Sequence, residues 1–303
     1  MIISLVVPVV NPTLHINKLL ESIAVTFSPS SIVELVLVNQ SGSSILDVAC
    51  AISKISVVEI LTDKLIPAAD ARNLGAINAN GEFLFFLDDD AVIHATNFDA
   101  AKLLERLSNL DALICQRGEM VDEVYCTHWK QKKASVNQFN FASFIIEWNV
   151  IIRKSLFIEV GLFPLIGVGS NHAALSGEIY VLIAKLLGIS KRVELYEYIQ
   201  ISHPSLYKKN NTLPNLLGYY YGAGYAVGLS VKCFSLLGKL YWYTRNLAAV
   251  ILDLFFRSKK YNETLSDKVD DLGFWLARSR MVGFYDGLLG RVVRSKSWLV
   301  TKS

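Results

Sequence analysis

The chain lacks any stretch of about 18 uncharged apolar residues, so no transmembrane helix is expected. This holds although 52% of its 303 residues are hydrophobic and its mean hydropathy is +0.36. It has few cysteines. Cys50, Cys115, Cys126 and Cys233 show neither close pairing nor metal-ligand spacing, which argues against a disulfide framework and leaves reduced thiols. No glycine fingerprint of the dinucleotide type follows the first apolar run, and no phosphate-loop motif occurs. Dehydrogenases and phosphate-loop NTPases are thereby disfavoured. There is no internal repeat and no low-complexity tract. No basic leader precedes Ile2, so no signal peptide is expected and the protein is read as cytoplasmic.

The acidic and basic residues nearly balance, at net +3, but unevenly. Residues 1–200 hold 15 Lys and Arg against 21 Asp and Glu, whereas residues 201–303 hold 15 against 6. A basic C-terminal third rich in Tyr, Trp and Phe fits docking on an anionic membrane face. An ordinary basic helical surface accounts for the same charge. No nucleic-acid partner is expected.

What is present is organised around one stretch. Gly81-Glu82 leads into the apolar run Phe83 to Leu87, which ends on Asp88, Asp89 and Asp90. The run is short, aromatic and non-alternating, the pattern of a strand buried on both faces. Three acids cannot follow it into a core, because unpaired buried carboxylates cost too much. They must stand at the strand's C-terminal edge, where open α/β sheets bind ligands. Adjacent carboxylates there suit a hard divalent cation. Taken alone, the three acids read more readily as a helix cap followed by a solvated loop.

Ile2 to Val10, Val33 to Val38 and Val57 to Leu61 read as strands, and 13–27, 45–54 and Ala68 to Asn78 as helices. This alternation predicts an α/β fold with a Rossmann-like, doubly wound, mainly parallel sheet and right-handed crossovers. Polar groups then gather at strand ends: Asn11, Asn39, Gln40 and the three acids. Ser143 to Arg153 and Val193 to Ile201 predict further strands. Ser176-Gly177-Glu178 opens an amphipathic helix running to Leu187, with Glu178 in the first turn, where the helix dipole favours an acid. From Leu213 the chain is rich in glycine and tyrosine, and 234–256 has an aromatic helical pattern. The tail, 272–300, mixes aromatics with arginines, as helices lying in a membrane interface do. The expected division is residues 1–210 and a helical, membrane-associating extension, 211–303.

On these residues the chain resembles the inverting family 2 glycosyltransferases of the GT-A fold, over roughly residues 2–205. The resemblance is carried by the opening strand with Pro8 and Asn11, by Ala71-Arg72-Asn73-Leu74-Gly75, and by Asn80-Gly81-Glu82 leading through the strand to Asp88-Asp89-Asp90. Gly161-Leu162-Phe163, Ser176-Gly177-Glu178 and Ser202-His203-Pro204 add weaker pieces. The resemblance implies transfer of a sugar from a nucleotide-sugar donor to an acceptor hydroxyl with inversion, assisted by Mg²⁺ or Mn²⁺. It implies Asp90 as the first metal ligand, Asp88 as a contact to ribose or metal, and Asp89 toward the sugar. Pro8, Val9, Asn11 and Asn39 would line the base and ribose pocket. Arg72 would face the diphosphate, against the local alternative of an ion pair with Asp70. Glu178 would be the general base. His203 would be a further metal or diphosphate contact, or a structural His before Pro. Trp148 would be an acceptor-sugar platform or a core residue.

The later pieces resemble bacterial enzymes that extend lipid-linked O-antigen or capsular repeat units. That narrower likeness implies a polyprenyl-diphosphate-linked saccharide acceptor and a peripheral place on the inner face of a bacterial plasma membrane. Two departures stand out. Many relatives carry a second acid directly after the glutamate, often the base, where this chain has Ile179. Asn39 stands where an Asp often reads the nucleobase, and its amide offers a mixed donor and acceptor pattern. Ile179 motivates a rival reading, a catalytically degenerate partner protein. A nucleotidyltransferase is a second rival, but it would carry a glycine- and Arg/Lys-rich loop where this chain has Val9-Val10-Asn11-Pro12-Thr13.

Overall fold

The computed structural model describes residues 2–12, 14–27, 32–95, 98–121, 124–127, 135–189, 191–203, 212–257, 265 and 269–294. Pro204 and the end of the tail, 295–300, which entered the sequence reading, lie outside the described residues. The chain divides into two compact units. One comprises residues 1–66, 70–162 and 190–205, and the other 67–69, 163–189 and 206–303.

The first unit carries a ten-stranded sheet: β1 (Ile3–Val9), β2 (Val33–Asn39), β3 (Ser56–Leu61), β4 (Phe83–Phe86), β5 (Val92–Ala95), β6 (Ala112–Val121), β7 (Val124–Thr127), β8 (Ser135–Val136), β9 (Val150–Arg153) and β10 (Val193–His203). Its order is β3-β2-β1-β4-β9-β6-β10-β5, with β7 on β6 and β8 on β10. The helices are α1 (Leu14–Phe27), α2 (Leu46–Ser53), α3 (Ala68–Asn78), α4 (Ala100–Asn109) and α5 (Lys154–Glu159). The expected alternation of strands and helices builds the parallel half, β3-β2-β1-β4. β1, β2 and β4 are buried almost throughout, as strands covered on both faces must be. Leu5, Val7, Leu35, Leu37, Phe83 and Phe85 share one core with α1. In the other half β10 runs parallel to β6, while β9 lies antiparallel between β4 and β6, and β5 antiparallel on β10.

One expected strand is shorter than its sequence pattern. Of Ser143 to Arg153, only Val150–Arg153 is extended. Asn149 is fully buried; its amide donates to the Phe144 and Cys115 carbonyls (2.8 and 2.9 Å) and accepts from the Ile146 N–H (2.8 Å). A side chain that satisfies backbone groups in this way competes with the ladder and folds 144–149 into a turn.

The second unit contains α6 (Glu178–Gly188), α7 (Leu213–Ser230), α8 (Leu236–Leu252) running into a wider turn over Asp253–Arg257, and α9 (Leu272–Leu289). The glycine- and tyrosine-rich stretch is α7, and its glycines let it meet α9 backbone to backbone. A Cβ on Gly224 would lie 2.0 Å from the Arg280 carbonyl oxygen, and one on Gly283 would lie 2.1 Å from that of Tyr221. Between these helices the Tyr221 hydroxyl donates to Asp286 (2.9 Å). Fully buried Asp253 is paired with Arg257 (2.6 Å) and Arg280 (2.5 Å), so its charge does not stand alone in the core. Among the described residues, no helix is long and apolar enough to cross a membrane.

Candidate active site

The site is built at the C-terminal edge of the first unit's sheet. β4 ends in the core, Leu87 is still buried, and the next residues turn back, with the Ala91 N–H donating to the Asp88 carbonyl (3.1 Å). β5 then pairs with β10, Val92 opposite Ser202. That register places Asp90 beside His203, the last residue of β10. The His203 Nε2 lies 2.8 Å from Asp90 Oδ1 and 3.6 Å from Asp88 Oδ2. Asp88, Asp90 and His203, all partly buried, bring one ligand atom each within 4.8 Å of one another. Two carboxylates and an imidazole at this separation form a donor set that could hold a divalent cation.

Arg72 completes the cluster from α3. Its guanidinium is buried and donates to Asp88 Oδ1 at 2.6 Å. The local alternative, a pair with Asp70, is not what forms; burial instead raises the Asp70 carboxyl above its ordinary range. Two features hold α3 against the sheet. Gly75 sits where a Cβ would lie 2.5 Å from Val6 Cγ1 and 3.0 Å from Val38 Cγ2, so only glycine lets the helix approach this closely. The Lys154 ammonium caps the helix end, donating to the Ala79 (2.5 Å) and Ile77 (3.1 Å) carbonyls.

Asp89, between the two cluster acids, points to β1. Burial, then repulsion from Asp90 and Asp88, pushes its carboxyl up to about 6, against hydrogen bonds from the N–H groups of Val10 and of Asp89 itself. Asp89 thus ties the acid turn to the end of the first strand. Pro8 is partly buried, Val9 is buried and Asn11 is exposed just beyond that strand. Asn39 is fully buried, and its amide is engaged locally. It donates to the Ser43 carbonyl and to Glu59 (both 2.8 Å) and accepts from the Ser41 N–H (2.9 Å). Its side chain shapes the loop after β2.

Trp148 belongs to the hydrophobic core and stacks on His203, with ring centroids 5.4 Å apart and planes 6° from parallel. It orients the imidazole. The adjoining Glu147 is a charge the sequence reading did not single out. Burial raises its carboxyl above the ordinary range; Arg72 and Arg117 pull the other way, and Asp88 adds to the rise. The signal was available, since an acid inside the apolar run Phe144 to Ile152 calls for a partner.

Glu178 lies in the second unit, buried at the start of α6. Its carboxylate rests against the backbone of Gly167, where φ is +96° and a Cβ would sit 2.7 Å from Oε1. Both the left-handed backbone and the space for the carboxylate require glycine there. Ile179, in the place of the second acid, is fully buried in the apolar core.

No family model and no curated protein sequence matches the chain. Solved structures do. The chain is similar to the crystal structure of Staphylococcus aureus TarS, with a TM-score of 0.63 and 15% identity, covering 96% of this chain and 55% of that one. It therefore spans little more than half of that TarS chain. It is also similar to TarS 1–349 in complex with UDP-GlcNAc (TM-score 0.62, 16% identity, 96% and 93% covered) and with UDP (0.57, 15%, 96% and 91%). With its mixed sheet, flanking helices and acid turn at the strand edge, the chain has a GT-A-like glycosyltransferase fold.

Proposed function

We propose that this protein is a metal-dependent, inverting glycosyltransferase of the family 2 type. It moves a sugar from a nucleotide-sugar to a hydroxyl of a lipid-linked, polyprenyl-diphosphate saccharide during cell-surface polysaccharide synthesis at an anionic membrane face. The carrying observation is the cluster of Asp88, Asp90 and His203 with Arg72 on Asp88, at the ligand edge of the sheet. The likeness to a structure holding UDP-GlcNAc supports the nucleotide-sugar. The domain division in this reading is a transferase domain, 1–210, and a helical extension, 211–303.

Asp88, Asp90 and His203 hold the cation, which when bound offsets charge on the leaving diphosphate. Arg72 adds a fixed positive charge beside it. Pro8, Val9 and Asn11 form the wall for base and ribose, while Asn39 and Asp89 support that wall from the end of β2 and from the acid turn. Glu178 takes the proton from the acceptor hydroxyl. That oxygen bonds to the anomeric carbon as the bond to the diphosphate breaks, and the nucleoside diphosphate leaves with the bond's electron pair. The rival reading, a degenerate partner without turnover, draws on the buried Ile179.

A thermal-shift screen of nucleotide-sugars with and without Mn²⁺, followed by turnover assays, tests the proposal. A donor that raises stability only with metal, and is consumed by the wild type but not by Glu178→Gln, is the expected result. Binding without turnover would favour the degenerate partner, and full activity in Glu178→Gln would remove it as base.

A further inference from the structure

Helix α8 turns apolar side chains outward. A helix lying on a globular protein normally buries its apolar stripe and shows polar residues to water. In α8, Leu236, Leu240, Leu247 and Ile251 fall on one face at 3.6 residues per turn, and they are 82%, 60%, 57% and 47% exposed. Phe255 and Phe256, in the turn that continues the helix, are 70% and 68% exposed. Single exposed leucines are ordinary, but a continuous stripe of this length is not. Gly238, Trp242, Asn246 and Val250, on another side of the helix, are buried, so the stripe is not a misplaced core face.

Cations stand at the margins. Lys239 is partly buried on one flank. Arg245 is exposed on the side away from the stripe, with its guanidinium 5.2 Å from the Trp242 ring and donating to the Tyr241 hydroxyl at 2.8 Å. Arg257 closes the far end.

We infer that residues 236–256 form the element that lies in the interface of an anionic bilayer. The leucine stripe and Phe255-Phe256 enter the acyl region, with Lys239 and Arg257 at the headgroups. No described helix is fit to cross a membrane, so α8 lies along the plane. Charge selects lipid over a second copy of the chain. Residues 201–303 carry 15 Lys and Arg against 6 Asp and Glu, which an anionic leaflet attracts and a like-charged copy repels. The inference deepens the membrane part of the proposed function, on which it rests, and is independent of the sugar chemistry.

The test is vesicle sedimentation of the full chain, without donor, using phosphatidylcholine with and without phosphatidylglycerol. Binding is expected with the anionic vesicles. It should fall about 100-fold in the double variant Leu240→Glu/Leu247→Glu, and stay unchanged in Val25→Glu, at an exposed position of α1. Leu240→Trp, which keeps the stripe apolar, should gain blue-shifted emission over the wild type with anionic vesicles only. Undiminished binding by a folded double variant, or no emission shift, would overturn the role of α8 while leaving membrane association standing. Absence of wild-type binding would overturn both. Self-association of the wild type that the double variant abolishes, without vesicle binding, would assign the stripe to a second copy instead.

Discussion

The two ends of the parallel half-sheet treat carboxylates in opposite ways. At the N-terminal end, the buried Glu34 carboxylate is closed off. It accepts from the Ser4 hydroxyl (2.5 Å), from the N–H groups of Asn80 (2.6 Å) and Gly81 (3.1 Å), and from the Asn80 side chain (3.0 Å). Burial alone would raise its pKa, but the donors outweigh burial and lower it. At the C-terminal end, three acids crowd together with a histidine and one arginine, and the middle acid is pushed up to about 6. A β2 carboxylate surrounded by neutral donors from β1 and from the turn before β4 is fastening the fold. Carboxylates that repel one another and remain partly exposed are held for something the chain does not itself supply.

Removing the site should therefore abolish chemistry and spare the fold. Asp90→Ala is expected to cut sugar transfer about a thousandfold and to abolish the Mn²⁺ dependence of nucleotide binding, with the unfolding midpoint unchanged or raised. A variant retaining transfer would place the cation elsewhere. Glu34→Ala should do the reverse. Stranding the donors of Asn80, Gly81 and Ser4 is expected to cost about 3 kcal/mol in denaturant unfolding, with no change in Mn²⁺ affinity at temperatures where the variant is folded.

Trp148→Leu probes the link between core and site, since the indole that stacks on His203 is also a core residue. Mn²⁺ affinity should fall about tenfold, measured by calorimetry on folded protein. An unchanged affinity would leave Trp148 with packing alone. The smallest effect is in pH. The lowered Glu34 pKa contributes stability that is present above the ordinary glutamate range and is lost as pH falls through the folded value. The acid limb of the wild-type stability curve should therefore be steeper than that of Glu34→Gln; equal limbs would mean that other carboxylates dominate.

Much of this arrangement could be read in the chain. The apolar run read as a buried strand, and the alternation of strands and helices, rather than the three acids alone, placed its end at a ligand edge. Arg72 could be nominated but not its partner, and His203 was joined to the acids only through the resemblance. Arg72 had Asp70 two residues away and pairs instead with Asp88, because Gly75 seats α3 on β1 and β2. Glu147 escaped notice because the run Phe144 to Ile152 looks extended, and only the fully bonded Asn149 reveals the turn. The glycine-rich composition of α7 was legible, but not that Gly224 and Gly228 serve contact with α9.

By itself, the sequence determined the parallel α/β half, the position of Asp88 to Asp90 at a strand end, and the basic, aromatic character of the last third. These depend on local periodicity and on the cost of burying charge. Only the tertiary structure decided which groups meet. The Val92–Ser202 register brings Asp90 to His203, residues more than a hundred positions apart. It also decided which face of α8 is left outward. Such pairings depend on how strands and helices pack, and local patterns do not encode a partner that distant in the chain.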